Sequence, residues 1–236
     1  MMGNLTRANR DNGAVARLNY VGVYLFGGDR EGKRNEFLAA GTMQWQEGPA
    51  HPVGIRNFCP VVITSTSFLT IAGQDIWEFD AAIAGPTNSA GWREAARWPR
   101  LKTYRSSMGC AKIGQKVIIA GDELVDRGTL TSTRTVVLDL TSRRITSEGD
   151  MAAPRYNFHA ATILSGGREK MFTLAGVGNL AGLGKAGGSA SFTAVNTVEE
   201  WVEANSTWKA AASLVVRRGE AFAVAVVPRQ LICPGV

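Results

Sequence analysis

One pattern constrains this chain more than any other. An arginine, an alternating apolar segment, a short turn and a second apolar segment closing on glycine recur five times. The copies are RDNGAVARLNYVGVYLFGG from Arg10, RNFCPVVITSTSFLTIAG from Arg56, RSSMGCAKIGQKVIIAG from Arg105, RYNFHAATILSGGREKMFTLAG from Arg155 and RGEAFAVAVVPRQLICPG from Arg218. Successive arginines stand 46, 49, 50 and 63 residues apart. In the first four copies a polar loop follows the glycine, then a short apolar segment (NEFLAAG, DIWEFDA, RTVVLDL, NTVEEWV). A tryptophan segment closes three of them, at Trp45, Trp92 and Trp208, with Ile145 standing in the third copy.

Each full copy thus holds four short strands, rich in β-branched and aromatic residues and bounded by Gly, Asn and Asp turns. Four strands in about 50 residues is the arithmetic of a propeller blade. The runs are too short and too β-branched for helices. A β-sandwich would not impose the period. Runs such as YVGVYLF and KVIIA are nearly continuous apolar stretches, as strands covered on both faces require. The tryptophans are expected between blades.

The succession of arginine, apolar strand, turn, Tyr24-Leu25-Phe26-Gly27-Gly28, short strand and tryptophan resembles the kelch repeat. The resemblance spans the chain from about residue 10. It implies an all-β, kelch-type β-propeller of four-stranded antiparallel blades at about 10–55, 56–104, 105–154 and 155–217, with a partial fifth at 218–236 and a tail at 1–9. Only the first copy carries the Gly-Gly doublet; the others end in Ala-Gly or Pro-Gly. The retained second glycine suits a position of positive φ or close backbone approach. The last copy supplies only its two inner strands, AFAVAVV and RQLICPGV, and residues 1–9 are too short and polar to supply the rest. The expectation is an incomplete or open propeller, a fragment that self-associates through an unclosed edge.

Hydrophobic residues are 45% and charged residues 19%, the balance of a globular chain. No apolar run reaches membrane-spanning length. The first residues lack an apolar signal core, and Met2 occupies the place a myristoylated glycine would need, so the expectation is a cytoplasmic protein with no membrane partner. The net charge of +6 is scattered rather than clustered, which argues against nucleic acid. Cys59, Cys110 and Cys233 are odd in number and lie in apolar surroundings, and are expected as buried thiols. The sequons at Asn4 and Asn205 carry meaning only in a secreted chain.

Arg56, Arg105, Arg155 and Arg218 open their copies just before the innermost strand, near the mouth of a propeller's central channel. Two readings stay open. Each arginine is a structural partner of its neighbouring blade, or together they form a ring that grips a carboxylate or phosphate. Asn57, Ser106, Tyr156 and Asn157 would add hydrogen bonds on the same rim. The stretch GVGNLAGLGKAGG, at 176–188, contains a G-x-G-x-x-G spacing from Gly182 to Gly187. No helix pattern follows it, so it reads as a long mobile loop rather than a dinucleotide site. His51 and His159 sit at different phases of the repeat, and His159 reads as a core histidine. No catalytic constellation, cofactor or metal site is expected. The resemblance implies protein–protein recognition through loops on one face, with an acidic segment as partner. It includes substrate recognition for a cullin-type ubiquitin ligase and cytoskeletal or scaffold roles. The alternative is a propeller enzyme acting on a sugar or other small molecule.

Overall fold

The computed structural model describes residues 14–26, 33–55, 57–122, 131–179 and 192–217. The described strands form four antiparallel four-stranded sheets, the blades of a propeller. Blade 1 is β1 (Ala14–Leu18), β2 (Gly22–Phe26), β3 (Asn35–Ala39) and β4 (Trp45–Glu47). Blade 2 is β5 (Cys59–Val62), β6 (Ser67–Ala72), β7 (Asp75–Asp80) and β8 (Trp92–Arg93). Blade 3 is β9 (Gly109–Ile113), β10 (Lys116–Asp122), β11 (Ser132–Asp139) and β12 (Ile145–Glu148). Blade 4 begins with β13 (His159–Ser165) and β14 (Arg168–Leu174). A separate hairpin follows, β15 (Val177–Asn179) with β16 (Phe192–Ala194), and blade 4 ends with β17 (Val198–Val202) and β18 (Thr207–Ala210). The first strands β1, β5, β9 and β13 neighbour one another in that order, so each blade enters from its innermost strand.

Strand alternation explains the stacking. Along β10, Val117 and Ile119 enter the core shared with blade 2, while Ile118 and Ala120 pack toward blade 4. Along β6, Phe68 faces blade 1 and Leu69 and Ile71 face blade 3. Trp92 sits among Phe26, Phe68 and Phe79 between blades 1 and 2. Trp208 packs against the cores between blades 3 and 4, and its Nε1 donates to Thr135 Oγ1 at 2.8 Å. Ile145 takes the tryptophan's place in blade 3 and packs on the blade 2–blade 3 core. Trp45 is half-buried on β4.

The cysteines differ from expectation. Cys59 on β5 and Cys110 on β9 form a disulfide across blades 2 and 3, with Cα atoms 6.1 Å apart, inside the ordinary span of such a bond. Sequence spacing hides this pair, because the residues lie on different blades and meet only when those blades stack. Cys233, the fifth copy at 218–236, the tail at 1–9 and the G-x-G-x-x-G residues all lie outside the described residues. Of the 176–188 stretch, Val177–Asn179 is paired strand rather than open loop.

No helix among the described residues is long and apolar enough to cross a membrane.

Candidate functional site

The linkers that carry the chain from one blade's fourth strand to the next blade's first strand share one geometry. In each, a backbone N–H returns to a residue at or within two positions of the start of the third strand of the blade it leaves. His51 donates to Lys33 O, Leu101 to Gln74 O and Met151 to Thr133 O, each at 2.9 Å, and Leu214 donates to Asn196 O at 2.8 Å. Leu101 and Met151 are core residues, so this is an inward position. Six residues further on, Asn57, Ser107 and Asn157 adopt left-handed backbone with φ of 50°, 54° and 48°. They are chained across the blades: Ser107 N–H donates to Asn57 O at 2.8 Å and Asn157 N–H to Ser107 O at 2.9 Å. Asn and small polar residues suit this conformation. The chain of bonds fixes the loops at the head of the inner strands.

The same count corrects the phase of the arginines. Arg105 and Arg155 stand two residues before their left-handed residue, and Ile55 holds that place in blade 2. Ile55 is buried in the blade 1–blade 2 core. Arg56 falls one position later, the place of Ser106 and Tyr156, and itself lies outside the described residues, as does Arg218.

Arg105 and Arg155 are 2% and 0% exposed. Each passes its backbone across the end of the preceding blade, Arg105 by paired bonds with Gly73 at 2.9 and 3.0 Å, Arg155 through its N–H to Ser132 O at 3.3 Å. Each turns its guanidinium into its own blade. Arg105 Nη1 donates to Gly121 O and Arg134 O, both at 3.3 Å, and lies 3.5 Å from Asp122 Oδ2. Arg155 Nη1 donates to Ala175 O at 3.3 Å and Thr197 O at 2.9 Å, and Nη2 to Thr197 Oγ1 at 2.8 Å and Glu199 Oε1 at 2.6 Å. The expected open ring of guanidinium groups is therefore not what these two side chains form, because backbone carbonyls and a carboxylate have already taken them up. Burial pulls both arginines below their usual range, with Asp122 and Glu199 opposing. Burial pushes the Asp122 carboxyl up, with Arg105 opposing.

One carbonyl that receives each guanidinium belongs to a left-handed residue, Gly121 at φ 59° and Ala175 at φ 60°, and Gly73 shares that conformation at φ 61°. A Cβ at Gly121 would stand 2.5 Å from Arg155 O. The glycine is therefore needed both for its backbone angle and for the next linker's approach.

On the solvent side of these linkers stand Tyr104, 64% exposed with its ring against Gly73, and Tyr156, Asn57 and Asn157, all half-buried. Ser106 and Ser107 are buried beside them. Sequence reasoning missed Tyr104 because it precedes the arginine used as the repeat's marker.

His51 occupies the inward linker position of Leu101 and Met151. Its Nδ1–H donates to Val53 O at 2.7 Å, its Nε2 accepts from Thr70 Oγ1 at 2.9 Å, and its ring meets Trp92 and Trp77 at 4.4 and 5.7 Å. Burial lowers its pKa to about 4, against a smaller rise from the Val53 carbonyl, so it is neutral near pH 7. His159, the first residue of β13, is half-buried, and burial lowers its pKa also. Among the described residues no three His, Cys, Asp or Glu side chains gather as metal ligands.

No family model and no curated protein sequence matches the chain. Its fold is similar to a solved structure described as the structure of YjhT, with a TM-score of 0.69 and 13% identity, covering 89% of this chain and 72% of that one. At that identity the likeness shows the propeller fold.

Proposed function

We propose that this chain is a kelch-type recognition propeller that binds a protein partner on the face formed by the blade-to-blade linkers. The observation that supports it most is the linker chain Asn57–Ser107–Asn157, which holds Tyr104 and Tyr156 on a fixed polar rim. Tyrosine and asparagine on a rigid base supply contact area and hydrogen bonds at small entropic cost. By sequence count Arg56 aligns with Ser106 and Tyr156, and an acidic segment is the partner chemistry proposed for it. Arg105 and Arg155 support the rim from beneath by fixing the linkers. The carboxylates Glu78, Asp122 and Glu199 are engaged by Trp98 and Arg93, by Arg105 and by Arg155 respectively, a structural use rather than a catalytic one. The buried disulfide favours a partner met in an oxidising compartment over the ubiquitin-ligase role.

The test compares two faces. Proteins captured by the full chain are quantified against Tyr104→Ala with Tyr156→Ala on the rim. The control is Tyr20→Ala, 97% exposed in the β1–β2 turn at the opposite end of blade 1. The rim variant is expected to lose a captured protein at least tenfold with melting unchanged, and the control to keep it. Loss with Tyr20→Ala alone, or full retention by the rim variant, overturns the proposal.

A further inference from the structure

We infer that Asn205 is an acceptor site for an N-linked glycan. The sequence reads Asn205-Ser206-Thr207, the acceptor pattern. Sequons are common, and the pattern by itself selects nothing; its presentation does. Asn205 and Ser206 form the turn between β17 and β18, and Thr207 opens β18. Asn205 closes a short 3-10 turn, Glu203–Asn205, and is exposed. Ser206 then takes left-handed backbone at φ 51°, which reverses the chain and brings the third sequon residue back onto the first. Thr207 Oγ1 donates to Asn205 Oδ1 at 2.8 Å. A hydroxyl donated to the amide oxygen fixes the amide of an exposed residue through its oxygen and does not engage its nitrogen.

The second observation is independent of the turn. The Cys59–Cys110 disulfide lies buried between blades 2 and 3, and such bonds persist where the compartment is oxidising. The lumen that forms disulfides is also where N-glycans are attached, so one itinerary accounts for both features.

The chemistry is a glycosyl transfer from a polyprenyl-pyrophosphate-linked oligosaccharide. Asn205 Nδ2 forms a bond to the anomeric carbon, the bond from that carbon to the pyrophosphate oxygen breaks with its electron pair, and Nδ2 gives up one proton. No oxidant or reductant enters. The turn can carry the sugar without disturbing packing: Ser206 O is held by Gly149 N–H at 3.1 Å, while Asn205 and Thr207 stay exposed.

The full chain, directed by a cleavable signal peptide, is translated with endoplasmic-reticulum microsomes and also secreted from cultured eukaryotic cells. Asn4→Gln removes the other sequon from the count. The expected result is one glycan-sized mass shift, removed by peptide N-glycosidase with conversion of Asn205 to aspartate in the peptide map. Asn205→Gln and Thr207→Ala should each abolish it, and Thr207→Ser should retain it at lower occupancy. Secreted glycosylated chain should melt with the Asn205→Gln protein. An unshifted Asn4→Gln chain inside the microsomes overturns the inference. So does a shift that survives Asn205→Gln, or a glycan found only on chains lacking the Cys59–Cys110 bond.

Discussion

Arg155→Ala is expected to unfold blade 4's hold on the linker rather than to act at the surface. The side chain is fully buried and makes four hydrogen bonds, to Ala175 O, Thr197 O, Thr197 Oγ1 and Glu199 Oε1. Truncation leaves two carbonyls without their donor and Glu199 without its cation. Glu199 keeps the backbone N–H groups of Ala152 and Ala153 at 2.7 and 3.3 Å, which moderates the loss. Removing one partner of a buried pair costs roughly 3–5 kcal/mol, and the retained backbone donors place this case near 3. For a domain of this size that is a fall in Tm of about 6–12 °C. The assay is urea unfolding at pH 7 by tryptophan fluorescence with a parallel thermal melt. Arg155→Met with Glu199→Gln should recover part of the loss, since it removes both charges from the blade. A loss below about 1 kcal/mol in Arg155→Ala, with partner capture abolished, would refute the reasoning and return the arginine to the rim.

His51 should make stability pH-dependent. Its folded pKa of about 4 lies below the unfolded value of about 6.5. Its contribution is present above pH 6.5 and is lost as pH falls toward 4, at most about 3 kcal/mol; His51→Met with Thr70→Val should flatten that slope in unfolding curves from pH 7 to 4.5, and an unchanged slope contradicts the burial. Cys59→Ala with Cys110→Ala should cost about 4 kcal/mol for a loop of this length, matched by reductant acting on the parent; no change with reductant would show the bond is not formed. Gly121→Ala should cost about 2–4 kcal/mol, from positive φ and contact with Arg155 O. Gly114→Ala, at φ 53° with open space around its Cβ, should cost nearer 1 kcal/mol, from φ alone; equal losses at the two glycines would deny the close approach.

The four-bladed architecture was legible because its cause is local. Apolar strands of β10 type need covering on both faces, and their return at a fixed spacing can be met by stacked blades. The site was legible less well. The arginine is the most visible letter of the repeat, but the linker's physical register is set by left-handed residues, which the sequence writes variously as Asn57, Ser107 and Asn157. Marking the phase by arginine therefore displaced Arg56 by one position and passed over Ile55 and Tyr104. That His51 and His159 differ in phase was legible, but His51's place is defined by a backbone bond to Lys33 O, a place filled elsewhere by Leu101 and Met151. The disulfide depends on which blades become neighbours, which no local pattern reports.

The central claim is that the linkers are chained into one rigid base beneath the rim, and residue-resolved amide hydrogen exchange of the full chain tests it most directly. Ser107 and Asn157 lie in loops, yet their N–H groups cross between blades to Asn57 O and Ser107 O. The account predicts that both exchange only through global opening, as slowly as the amides of Ile118 and Ile119 in β10. Exchange of Ser107 and Asn157 at the rate of exposed turn amides, while β10 stays protected, would contradict it.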